Sequence, residues 1–435
     1  MNNLIIMPRM LNWRTKYRYA VYERNIVERE GRIYSRAFIV VKNEYGVIVR
    51  FTRLHEFVTN YDGRVFRPIT TNVVNKMRYV CMMLNYILLD HYEIYRIDHV
   101  FGITRESLEC FFMDYALSEK KTGGYRGEES IEKCVSTVSA FFRKMISKYG
   151  GYMELREEDL YKEKEAYTHK GKIEKHMVPS FEIYGIPTVK RIFRDIPTQV
   201  FQLLLNLAIR YTPDIALAIA LQAFAGLRPG EVCNVRQENS PAGRGIAFTY
   251  IDGKPIKVEI DLTREIAMRS DGVVCGRIKK ERKQCVYTPF IEAFCTVYRK
   301  HLLYLEAHSF ETEYCPLFIN SKGLAMTYEN YADRFHKLVY EHLRPMLIDH
   351  PDPECRIYGQ MLYENNLGPH SLRHWFSVQL ALRGEDVAQL QFWRGDKDPQ
   401  SAFLYLQNKG DLMRELSKSN EILAAILMAE AKRYE

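Results

Sequence analysis

Residues 215–231 read Ile-Ala-Leu-Ala-Ile-Ala-Leu-Gln-Ala-Phe-Ala-Gly-Leu-Arg-Pro-Gly-Glu. From Ile215 to Leu227 the run is apolar apart from Gln222 and a closing glycine. Its length suits a helix buried inside a domain and is too short to span a membrane. Gly226 offers a stop, and Pro229 with Glu231 suits the first turn of the next helix. Arg228 is thereby placed at a helix start, where its guanidinium fork and the helix N-terminus both favour an anion such as a phosphate. On these residues alone, an Arg that caps the preceding helix or pairs with a surface carboxylate is an equal reading.

Working outward, the C-terminal half reads as mostly helical around a small antiparallel sheet. Thr198 is a suitable N-cap for a helix whose buried face is Val200, Leu203, Leu204 and Leu207. Residues 246–251 and 256–262 alternate around Asp252-Gly253, a strong hairpin signal. A second hairpin is expected from residues 272–278 and 284–290, bracketing the basic turn Lys279-Lys280-Glu281-Arg282-Lys283. Helices resume from Ile291, which makes 196–435 one domain.

Upstream, residues 34–41 and 46–51 flank Asn43-Glu44-Tyr45 as a hairpin, so 1–70 is expected to be a small β-containing element. From Thr71 the apolar period becomes helical. One face carries Val74, Met77, Cys81, Leu84 and Leu88; a second carries Leu108, Phe111, Phe112, Tyr115 and Ala116; a third carries Ile131, Val135, Val138, Phe142 and Met145. Residues 71–150 therefore read as a helical domain, and the charge-rich stretch 151–195, interrupted by Pro179 and Pro187, as a linker. The basic residues Lys76, Arg78, Lys133, Arg143, Lys144 and Lys148 among these helices fit a solvated face as well as a phosphate-facing one.

With 435 residues, 47% hydrophobic and 27% charged, the composition is that of a soluble globular protein of two or three domains. The net charge of +8 permits a polyanionic partner without requiring one. Nine scattered cysteines with no CxxC pair suggest neither a zinc ribbon nor a disulfide framework, and imply a reducing, cytoplasmic setting. The apolar stretch Leu4-Ile5-Ile6-Met7 is too short for a signal peptide, so an intracellular protein without a membrane span is expected.

Two further places carry chemistry. In Gly368-Pro369-His370-Ser371-Leu372-Arg373-His374, Pro369 opens a helix expected to reach Leu382 and stop at Gly384, so His370 and Arg373 share a face. His moves protons near neutral pH and Arg holds two phosphate oxygens. His370 and His374 at i and i+4 also suggest metal ligands, but Ser371 stands where the zinc-protease motif needs Glu. A purely structural His–Arg pair is the third reading. The other place is Trp393-Arg394-Gly395-Asp396 followed by Tyr405, and a lone Tyr in an apolar stretch is ordinarily a core residue.

Taken together, the order and spacing of these boxes resemble the tyrosine recombinase, or phage integrase, family. Gly226-Leu227-Arg228 with Glu231 matches its first arginine box, His370 to Arg373 its second, and Tyr405, ten residues beyond Gly395, stands where its nucleophile belongs. The family's lysine precedes a valine by seven residues, as Lys279 precedes Val286; Lys280 and Lys283 are competitors. The resemblance covers roughly residues 196–410, and more loosely 71–150. It implies a mainly α fold with a small antiparallel β-sheet, in which a helical core-binding domain and a mixed α/β integrase-type catalytic domain form a C-shaped clamp on DNA. It also implies site-specific cleavage and rejoining of DNA through a 3′-phosphotyrosyl bond, as in integration of mobile genetic elements. The implied partners are double-stranded DNA with specific recombination sites, a homotetramer built on it by exchange of C-terminal helices, and accessory DNA-bending proteins, in a nucleoid-associated location. No metal or other cofactor is implied.

Arg228 and Arg373 would neutralise the phosphate, Lys279 would protonate the leaving oxygen, and His370 would help to deprotonate Tyr405. Asp396 departs from the pattern, occupying a slot where the family carries His or Trp. It implies a role in orienting Arg373 or the tyrosine, a substitute donor in Trp393 or His374, or impaired catalysis. The alternatives are a type IB topoisomerase-like relaxation and a DNA-binding member that has lost cleavage.

Overall fold

The computed structural model describes residues 16–27, 33–58, 69–120, 123–167, 173–187, 196–308 and 314–395. The fold is mainly α with small antiparallel sheets. The chain divides into two compact units, Met1–Ile26 with Tyr34–Lys190 and Val27–Ile33 with Arg191–Glu435, each with its own apolar core.

In the first unit, β1 (Tyr17–Val27), β2 (Ile33–Asn43) and β3 (Ile48–Phe51) form a sheet in that order. The β2–β3 hairpin follows the alternation of the sequence, pairing Val40 with Phe51 and Val41 with Arg50. Its turn closes on the Asn43 side chain, which accepts from the backbone N–H of Val47 at 2.9 Å and of Tyr45 at 3.1 Å. Strand β1 was not anticipated.

Helices α1 (Thr71–Asn85), α2 (Tyr92–Tyr95), α3 (Arg105–Leu117) and α4 (Glu128–Tyr149) follow. Thr104 and Ser107 cap the start of α3 reciprocally. All three apolar faces expected from the sequence are buried in one core, which Ala37 and Ile39 of β2 and Phe57 also enter. Among the basic residues, Lys133 pairs with Glu129, Arg143 pairs with Glu157, and Lys148 lies over the Phe57 and Tyr149 rings.

The stretch expected as a charged linker contains α5 (Glu157–Leu160) and an antiparallel ribbon of β4 (Tyr161–Tyr167) and β5 (Ile173–Pro179). Leu155, Leu160 and Phe181 around it are buried in the same core. The ribbon was illegible because its alternating charges pair with exposed neighbours, Lys175 with Glu163 and Lys162 with Glu182, rather than marking an apolar face.

The second unit opens with α6 (Thr198–Tyr211), α7 (Pro213–Ala225) and α8 (Pro229–Val232). Pro197 and not Thr198 is the N-cap of α6; the Thr198 hydroxyl instead accepts a hydrogen bond from the Gln379 amide at 3.2 Å. Every residue of α7 after Pro213 is buried, as the opening run demands. Strands β6 (Ile246–Ile251) and β7 (Lys254–Leu262) form the expected hairpin, with Asp252 and Gly253 both at positive φ.

The second expected hairpin does not form. Only Arg282–Cys285 is a strand there, β8, and it pairs with β7 through Ile260↔Gln284 and Leu262↔Arg282. Residues 272–278 are held instead by other groups: Asn234 donates to Gly276 O, Tyr328 N donates to Cys275 O, and Ile278 N donates to the Glu265 carboxylate. Helices α9 (Ile291–Ala307), α10 (Tyr328–Lys337), α11 (Arg344–Ile348), α12 (Pro353–Glu364), α13 (His370–Leu382) and α14 (Val387–Arg394) complete the unit. Among the described residues, no helix is long and apolar enough to cross a membrane.

Candidate active site

The site grows from the end of α7. Gly226 terminates that helix in the left-handed region at φ 65°, and a Cβ there would stand 2.4 Å from the Phe376 ring of α13. Glycine is therefore required twice over, by the backbone and by the close approach of α13. Two polar bonds fix that approach. The Gln222 amide, alone in its apolar helix, donates to Pro369 O at 3.1 Å, and the Arg373 guanidinium donates to Gly226 O. Boxes 147 residues apart in sequence are thus fastened together.

Arg373 is 2% exposed, and its second Nη donates to Arg394 O at 2.8 Å. One side chain therefore joins the ends of α7 and α14 while belonging to α13. His370, at the first turn of α13, is exposed, one turn before the buried Arg373.

Arg228 sits just before α8. The Glu231 carboxylate accepts from the Arg228 backbone N–H at 3.0 Å and from its Nη1 at 2.9 Å. The same carboxylate takes both Nη groups of Arg282 on β8, at 3.0 and 2.9 Å. Glu231 is fully buried, and burial alone would push its carboxyl up; the bonds and charge of Arg282, with the charge of Arg228, outweigh this and bring it down to about 2. The arrangement is a buried carboxylate between two guanidiniums, with Arg228 on the more open side at 18% exposure and Arg282 at 9%.

Strand β8 also reaches α14. The Gln284 amide donates to Trp393 O at 2.6 Å, and the Tyr287 ring meets Trp393 edge-on at 5.0 Å. Gly395 ends α14 at φ 62°, and a Cβ there would lie 2.3 Å from Arg282 Nε. Strand alternation sends Arg282 and Gln284 to this side, whereas Lys283 pairs with Glu259 at 2.9 Å. Lys279 and Lys280 precede β8, with Lys279 exposed and the Lys280 carbonyl accepting from Arg282 at 2.9 Å.

The structure therefore brings together Arg228, Arg373, the start of α13 bearing His370 and the end of α14. Asp396 and Tyr405 lie outside the described residues, as does the C-terminal segment expected to exchange between protomers. Sequence reading missed Arg282, Gln284 and the linking role of Gln222. The period of two at 282 and 284, and a lone amide inside an apolar helix, were the available signals. Among the described residues, no group of three His, Cys, Asp or Glu side chains could hold a metal ion.

What these observations define is a two-unit, mainly helical protein whose second unit sets Arg228 and Arg282 on a buried carboxylate and ties the ends of α7 and α14 together through Arg373. Among solved structures the chain is similar to XerA recombinase, at 14% identity over 84% of this chain and 97% of that one, TM-score 0.34. It is similar to the Tn1549 transposon integrase in complex with transposon right end DNA, at 16% identity over 81% and 93%, TM-score 0.46. It is also similar to a lambda integrase dimer bound to a core site, at 13% identity over 81% and 94%, TM-score 0.41. No protein-family model and no curated protein matches the chain.

Proposed function

We propose that this chain is a site-specific tyrosine recombinase of the integrase type, cutting and rejoining double-stranded DNA through Tyr405. The observation that carries the reading is the fastening of the two arginine boxes at Gly226, where Arg373 donates to the carbonyl two residues before Arg228. Two fixed guanidiniums beside one helix start suit a single phosphate, whose transferring group needs its non-bridging charge neutralised.

In the cleavage step the Tyr405 hydroxyl gives up its proton with help from His370, and its oxygen attacks phosphorus. The bond to the 5′-oxygen breaks, and Lys279 returns a proton to that oxygen. A 3′-phosphotyrosyl bond and a 5′-hydroxyl result, and reversal on a new 5′-hydroxyl rejoins the strand. The covalent bond conserves the phosphodiester energy, so the reaction as written needs no cofactor. Asp396, next to Gly395, would orient Arg373 or the incoming tyrosine. Assembly would be a homotetramer on specific recombination sites, held by exchange of the C-terminal segment, with accessory DNA-bending proteins, at the nucleoid.

The test is covalent trapping on nicked duplexes tiled from the DNA flanking the gene. An adduct stable to denaturing electrophoresis with the native chain, and absent with Tyr405→Phe, is the expected result. Binding without any adduct would leave a DNA-binding protein, and relaxation of any supercoiled plasmid regardless of sequence would mark a topoisomerase instead.

A further inference from the structure

Helix α14 is held by little apolar packing. Of its eight residues only Leu390 and Arg394 are buried, while Val387 and Trp393 pack partly against the core and Phe392 is exposed. So short a helix is not kept in place by backbone propensity. Polar bonds from β8 and the residues after it brace both of its ends. Ahead of the helix, the Tyr287 hydroxyl donates to the Glu385 carboxylate at 2.7 Å. At the other end the last carbonyls have no partner within the helix, and side chains from elsewhere supply the donors: Arg373 for Arg394 O and Gln284 for Trp393 O, at 2.8 and 2.6 Å.

Gln284 is 3% exposed and uses both ends of its amide. Its Oε1 accepts from Arg282 Nε at 2.8 Å while its Nε2 donates to Trp393 O. A guanidinium N–H on one side and a carbonyl on the other demand an acceptor and a donor from one side chain. Glutamine supplies both, an ionised glutamate lacks the donor, and methionine of similar length supplies neither to any useful extent. The turn out of α14 then closes directly on β8, since a Cβ at Gly395 would stand 2.3 Å from the same Arg282 Nε. From that turn the chain continues to Asp396 and, nine residues on, to Tyr405.

We propose that Gln284 is a positioning residue: by holding Trp393 O it fixes the exit of α14, from which Tyr405 is delivered to the phosphate. The proposal rests on the recombinase reading. It places the effect of Gln284 on the nucleophile, and not on the charge of the phosphate or on the leaving oxygen.

The experiment measures the single-turnover rate of adduct formation at saturating nicked duplex, below the melting temperature of each variant. Saturation removes any change in affinity, and an unfolded fraction lowers the amount of adduct without slowing its formation. Three duplexes separate the origins of a slow step. One is ordinary; one carries sulfur in place of the leaving 5′-oxygen, which departs without a proton donor; one carries a methylphosphonate at the scissile position, which has no charge to neutralise. Gln284→Met is expected to slow the reaction about 100-fold, the scale of misplacing a reacting group by about 1 Å, and by a similar factor on all three duplexes. If Gln284→Met does not fold, Gln284→Glu, which keeps the acceptor for Arg282, takes its place in the same comparison. A native-like rate in a folded variant, or a deficit that disappears on the sulfur or the methylphosphonate duplex, overturns the proposal, while native adduct formation leaves the recombinase reading standing. No adduct from the native chain on any duplex that it binds overturns both.

Discussion

At the residue scale, Arg373 makes the tightest prediction because it donates to the backbone at the ends of two different helices, Gly226 O and Arg394 O. Arg373→Ala leaves two buried carbonyls without their donor. It should lower stability by about 2–4 kcal/mol in denaturant unfolding, and abolish adduct formation under conditions where the protein remains folded. Glu231 carries a pH dependence. Its carboxyl is held at about 2 against an ordinary 4.5, so the ionised form is the one favoured by folding. The associated stability, about 3 kcal/mol at full size, is present above pH 4.5 and fades as pH falls toward 2. Acid unfolding followed by circular dichroism should lose this contribution in Glu231→Gln; an identical acid limb in the two proteins would contradict the charge assignment.

At the scale of elements, glycines at close backbone approaches let the parts of the second unit come together. Gly226→Ala combines a positive φ with a contact inside the Phe376 ring, and Gly276→Ala would drive a Cβ to 2.2 Å from Gly230 O. Each substitution should cost about 2–4 kcal/mol, measured by thermal unfolding; an unchanged melting temperature for Gly226→Ala would show that α7 and α13 do not meet this closely. Legibility in the sequence followed the same divide. Helices α1, α3, α4 and α7 were readable because a buried face repeats at the helical period, or, for α7, because the whole run is apolar. The β6–β7 hairpin was readable from Asp252-Gly253. The pairing of β8 with β7 was not, because 272–278 is held away by Asn234, Glu265 and Tyr328, contacts between residues distant in sequence. Arg228 and Arg373 were visible as motif positions, but that one would fasten to the carbonyl beside the other was not.

At the scale of the whole molecule, two separate apolar cores predict two cooperative units. Phe142 is fully buried in the first and Phe376 in the second. Phe142→Ala should lower one calorimetric transition by about 3–5 kcal/mol and leave the other in place, with Phe376→Ala doing the reverse; joint movement of both transitions would show one folding unit. The central claim concerns the second unit and its continuation to Tyr405. The most direct test is to trap the protein on a nicked duplex, digest DNA and protein, and sequence the nucleotide-bearing peptide by tandem mass spectrometry. The account predicts a nucleotide linked through phosphate to Tyr405. Linkage to any other residue, or an unmodified Tyr405 peptide from a protein that has bound the duplex, would contradict it.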